Sequence, residues 1–107
     1  MAVSINGVNH LALTVKDANA SREFYSKYLG FNHLADLGAK VLMISGSLIL
    51  ALNPPPDPAQ AIPGDVFTEH RIGLDHLSFG VASRADLEAA AKLFDENGIS
   101  HGTINNL

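Results

Sequence analysis

The chain has 107 residues, 47% of them apolar and 17% charged, enough for one small folded domain and too apolar for a disordered one. Its formal charge is −4 and its seven Lys and Arg residues are scattered, which excludes the concentrated basic surface that nucleic-acid phosphates require. There is no Cys, so disulfide frameworks, thiolate metal sites and Cys nucleophiles are excluded.

Residues 1–6 lack the basic start and apolar core of a signal peptide. The most apolar stretch, 41–52, is interrupted by Ser45, Gly46 and Ser47 and is too short to cross a bilayer. A cytoplasmic chain with no membrane association is the expectation.

The first element is a strand. Leu11, Leu13 and Val15 alternate with His10, Ala12 and Thr14, the two-residue period of a pleated strand. One face is bulky and should pack on a helix. The other carries a His followed by small or polar residues and should stay open. A helix follows, with Asp17 as its N-cap, Phe24, Tyr25 and Tyr28 as its apolar stripe, and Gly30 at its end. Segments 31–37, 40–44 and 47–52 then read as three short strands, with Gly38 and Ser45-Gly46 in the turns. The order is βαβββ, and this first module covers 5–53.

All five prolines lie between Pro54 and Pro63. Proline is unsuited to helix interiors and central strands, so 54–72 is a linker. Its length is unusual for a connection in a compact domain and points to a functional or mobile loop.

Beyond the linker the sequence repeats. Gly7-Val8-Asn9-His10-Leu11-Ala12-Leu13-Thr14-Val15 matches Gly73-Leu74-Asp75-His76-Leu77-Ser78-Phe79-Gly80-Val81. Leu29-Gly30-Phe31 then matches Asn97-Gly98-Ile99. A strand, a helix and a helix-ending Gly in the same order mark an internal duplication. The second strand sets Leu77, Phe79 and Val81 against His76, Ser78 and Gly80. Its helix opens with Ser83 and Asp86 in a capping-box arrangement, carries Leu87, Ala90, Ala91 and Phe94 at helical spacing, and closes at Gly98. This second module, 73–107, is partial. A full copy would add two strands after 100–104, roughly fifteen to twenty residues more. A truncated form, or a sheet completed by a partner chain, is therefore expected.

His10 and His76 are the strongest chemical signal. A single His at a strand start is more simply a solvated polar residue. Two at matched positions, each on a small-residue face, point to a shared metal site, for which neutral imidazole is the commonest protein ligand. Thr14 and Ser78 lie on the same faces and are candidate substrate contacts. His33 and His101 also match in the repeat, but their polar surroundings read as exposed strand positions. Glu69-His70, in the linker, reads as a solvated pair. No phosphate-binding Gly-rich loop and no Gly-x-Ser-x-Gly nucleophile motif occurs.

The two nine-residue repeats, with Phe24-Tyr25 and Leu29-Gly30-Phe31, resemble the vicinal oxygen chelate superfamily, which includes glyoxalases, bleomycin- and fosfomycin-resistance proteins and extradiol dioxygenases. The resemblance covers nearly the whole chain. It implies an α+β fold in which paired βαβββ modules form a cup-shaped mixed sheet with helices outside, here with the second module incomplete. It also implies one divalent metal ion (Zn, Ni, Mn or Fe) on His10 and His76. The family's completing Glu lies on a last strand that this chain lacks, and the segment 47–52 offers no carboxylate in its place. The implied function is a metal-dependent enzyme acting on a small oxygenated substrate, foremost a glyoxalase-like lyase or isomerase. The alternatives are a fosfomycin-type thiol transferase and a non-catalytic binder of the bleomycin-resistance kind. A homodimer is expected in each case, and the long linker suggests exchange of modules between its chains as one form of it.

Overall fold

Strand β1, His10–Thr14, alternates exposed and half-buried residues along its length, as its sequence period requires. Asp17 then stops the extended chain and starts helix α1, Ala18–Leu29. Its Oδ1 accepts from the Asn19 and Ala20 amides at 3.0 and 3.1 Å, satisfying two N–H groups that have no partner inside the helix. The helix ends at Gly30 with φ of 67°, a left-handed conformation in which a Cβ would be strained. The computed structural model, which describes residues 1–105, continues with β2 (Asn32–Leu37), β3 (Lys40–Ser45) and β4 (Leu48–Asn53).

These strands form one four-stranded sheet in the order β1-β4-β3-β2. Strands β2, β3 and β4 are antiparallel neighbours, and β1 returns to lie parallel to β4, with His10 opposite Ile49 and Thr14 opposite Asn53. The helix between β1 and β2 packs against β2, β3 and β4. The buried cluster beneath it consists of Ala18, Phe31, Val41, Met43, Leu50 and Leu52, with Leu11, Leu13, Val15, Tyr25, Leu29 and Leu48 packed around it. The expected βαβββ order and the helix-facing side of β1 are thus both present. Tyr25 meets Phe31 edge-on at 5.7 Å, closing one end of this core.

After β4 the proline-rich segment forms a single 3-10 turn, Pro58–Gln60, capped by Asp57. The chain divides into two compact units, Met1–Asp65 and Val66–Leu107, the boundary falling inside the 54–72 segment. In the second unit, helix α2 spans Arg84–Glu96 and is capped by Ser83, whose Oγ accepts from the Asp86 amide at 3.3 Å. Gly98, at φ of 66°, follows the helix end as Gly30 does in the first unit.

The second copy departs from the first in one respect. Neither 73–81 nor 100–104 forms a strand, although both read as strands by period. In the first copy β1 is held by the ladder to β4; in the second, Leu74, Leu77, Phe79 and Val81 are exposed. Among the described residues no helix is long and apolar enough to cross a membrane.

Leu50 is fully buried at the centre of the sheet. Leu50→Ala is expected to destabilise the chain by about 2–5 kcal/mol through lost burial and a residual cavity, read as a shift in the denaturant midpoint. A change below about 0.5 kcal/mol, the usual effect at surface positions, would contradict this placement of the core.

Candidate functional site

Because strand side chains alternate, the residues of β1 that do not face α1 share the opposite side of the sheet. These are His10, Ala12 and Thr14, all exposed, with Ile49, Ala51 and Asn53 as their register partners on β4. His10 and Thr14, four residues apart, are separated by about 13 Å along the strand. Small side chains at Ala12 and Ala51 lie between them and keep this strip of sheet low.

At the His10 end, Nδ1 lies 2.8 Å from Asn9 Oδ1. An amide oxygen only accepts, so Nδ1 carries the proton and donates. In the neutral ring this leaves the Nε2 lone pair uncommitted. The second copy repeats the device. His76 Nδ1 lies 2.7 Å from Asp75 Oδ1, both side chains being exposed. In each copy the residue just before the His fixes its tautomer, as the outer partners of metal-bound imidazoles do. The signal for this pair of contacts in the sequence is an oxygen acceptor directly before each His.

At the Thr14 end, the sheet meets the proline-rich segment. Thr14, Val15 and Lys16 form one wall of an open groove of about 850 Å³, and Pro55, Pro56, Gln60 and Ile62 contribute to the other. Asn53, opposite Thr14, has an enclosed Oδ1 with no hydrogen-bond partner, the only such side-chain atom among the described residues. A buried acceptor left unpaired costs about 1–3 kcal/mol, and such atoms are few in native proteins. Thr14 therefore lies in a polar corner beside a groove. Ser78, its proposed companion, lies on the exposed 73–81 segment.

The remaining candidates do not gather into a site. His33 is on β2 and pairs with Asp36 at 2.7 Å, and His70 lies 4.0 Å from Glu69 with both side chains largely exposed. Among the described residues no group of three or more His, Asp or Glu side chains is placed to hold a metal ion. His10 and His76 belong to different units, and each supplies a single imidazole.

The model of the Glyoxalase/Bleomycin resistance protein/Dioxygenase superfamily matches residues 7–104. The chain belongs to this superfamily. Among solved structures, a glyoxylase/bleomycin resistance protein/dioxygenase domain from Frankia sp. EAN1pec is 28% identical, with a TM-score of 0.77, covering 97% of this chain and 83% of that one. A possible glyoxalase from Bacillus cereus is 26% identical, with a TM-score of 0.66 and coverage of 86% and 74%. A lactoylglutathione lyase from Agrobacterium tumefaciens, at 19% identity, shares the fold with a TM-score of 0.72 and coverage of 97% and 79%. No curated protein matches. The glyoxalase-like α+β fold is thus established, and the β1 edge carrying His10 is part of it.

The tautomer assignment can be checked by nitrogen-15 NMR of the histidine rings. The neutral rings of His10 and His76 are expected to carry the proton on Nδ1, with an unprotonated Nε2. Asn9→Ala should remove this preference at His10 alone. An Nε2-protonated ring at both positions would contradict the assignment.

Proposed function

We propose that the chain is a metal-dependent enzyme of the glyoxalase kind, acting on a small oxygenated molecule, with His10 and His76 as two ligands of one divalent ion. The observation that carries this reading is the repeated contact just described: in both copies the preceding side chain holds the imidazole proton on Nδ1 and leaves Nε2 to bind. Superfamily membership over residues 7–104 supports it. The reaction class is lyase or isomerase, with thiol transfer of the fosfomycin-resistance type as the nearest alternative.

The donors fit a divalent ion such as Zn, Ni, Mn or Fe in kind but not in number. Catalytic sites of this sort take three protein ligands and leave a position for substrate, and the described residues offer no third. The completing carboxylate has to come from a second copy or from sequence beyond these 107 residues. No reaction step follows from the two imidazoles alone. What this chain contributes by itself is the pair of oriented rings, the low strip at Ala12 and Ala51, and the polar corner at Thr14. In this proposal Thr14 and Ser78 contact the substrate.

A homodimer, with modules exchanged through the 54–72 segment, is part of the same proposal. The exposed apolar side chains of Leu74, Leu77 and Val81 support it, since they favour cover by another chain. A second reading, a non-catalytic small-molecule binder, is favoured by the groove beside Thr14, which needs no metal.

Elemental analysis after exchange into metal-free buffer, paired with sedimentation to give the number of chains, separates these readings. The enzyme reading expects a dimer holding about one divalent ion per site, with the ion lost in both His10→Ala and His76→Ala. Asn9→Ala and Asp75→Ala should each weaken metal affinity by about 10- to 100-fold. A stable monomer retaining no metal would count against both the ion and the dimer and would leave the binder.

A further inference from the structure

Asparagine followed by glycine is a reactive pair. The glycine amide nitrogen can attack the asparagine Cγ, and glycine lacks the Cβ that would hinder the approach. The chain contains two such pairs, Asn6-Gly7 and Asn97-Gly98. Asn53, by contrast, precedes Pro54, which has no N–H to give up and cannot react in this way. The structure gives the two pairs opposite surroundings.

Asn97 follows the last residue of α2 and is held on both sides of the linkage that would have to turn. Its Nδ2 donates to the Leu93 carbonyl at 2.8 Å. Its backbone N–H donates to the Phe94 carbonyl at 3.1 Å, and the Gly98 N–H to the Asp95 carbonyl at 3.4 Å. The Ile99 N–H then returns to the Phe94 carbonyl at 2.9 Å. The side-chain amide and the attacking nitrogen are both engaged, so reaction at Asn97 requires the helix end to open first.

Asn6 has no such restraint. Residues 1–9 lie outside any helix or strand. Among the described residues, neither the Asn6 side chain nor the Gly7 N–H has a hydrogen-bond partner. Ile5 and Val8, on either side of the pair, are 80% and 71% exposed, so packing does not hold the backbone. Gly7 stands at φ of 133° with open space where a Cβ would be.

We propose that Asn6 is a site of spontaneous deamidation, and that the fold protects the identical pair at Asn97. The Gly7 nitrogen gives up its proton and bonds to Asn6 Cγ. The bond from Cγ to the side-chain nitrogen breaks, and that nitrogen leaves with the proton as ammonia. Water then opens the cyclic imide at either carbonyl, leaving aspartate or isoaspartate at position 6. Nothing is oxidised or reduced. The product carries one negative charge more than the formal −4, three residues ahead of Asn9. Only the first copy carries this site, since Ile72 stands in the second where Asn6 stands in the first. The inference is independent of any metal at His10 and His76.

The test is incubation of the intact protein at mildly alkaline pH, folded and in denaturing urea, followed by peptide mass spectrometry and enzymatic methylation of isoaspartate. In the folded chain Asn6 should be converted and Asn97 retained. In urea the two should convert at similar rates. Gly7→Val should slow conversion at Asn6 and leave Asn97 unchanged. An Asn6 that stays intact in the folded chain, or equal loss of Asn6 and Asn97 there, would overturn the proposal.

Discussion

The placement of His10 depends on the parallel ladder between β1 and β4. The ladder sets the register that places Leu11 and Leu13 against the buried cluster, and by the two-residue period it necessarily turns His10, Ala12 and Thr14 to the other side. A slip of one residue would bury the imidazole and expose the leucines. The fully buried Leu50 and Leu52 on the neighbouring strand hold the register, because each must face the helix. The core chemistry of the first unit therefore aims the candidate ligand, and no interaction of His10 itself is needed to do so.

The same constraint explains the second unit. Its sequence repeats the alternation, the helix, the caps and the terminal glycine of the first, and the locally determined parts form: Ser83 caps α2, and Gly98 follows its end. The segment 73–81 does not form a strand, and strand formation, unlike capping, needs a partner remote in sequence. The contrast shows how much of a βαβββ module is local and how much is tertiary.

Legibility in the sequence follows that division. Asp17, Gly30, Ser83 and Gly98 were readable because capping and helix ending depend on residues within a turn of each other. The open face of β1 was readable because period two leaves no other choice. The absence of a strand at 73–81 was not, since alternation signals the ability to pair and not the presence of a partner. One side-chain contact and one groove were not readable either. His101 has the pattern of an exposed strand position; it is exposed but lies outside any strand, and its ring turns back six residues to Asp95. The groove beside Thr14 depends on the path of the proline-rich segment, which composition marks as irregular without fixing its course.

The candidate site then rests on a simple piece of imidazole chemistry. Asn9 and Asp75 hold a proton on Nδ1 of His10 and His76, so that both rings present Nε2 to the same kind of partner. Superfamily membership gives the pair its context. The most direct test is electron paramagnetic resonance of the protein loaded with one equivalent of Cu(II), an ion that imidazole nitrogen binds strongly. The account predicts nitrogen hyperfine splitting from two imidazoles in the native chain, reduced to one in His10→Ala and in His76→Ala. A single-nitrogen pattern in the native chain, or a two-nitrogen pattern that survives either substitution, would contradict a shared ion.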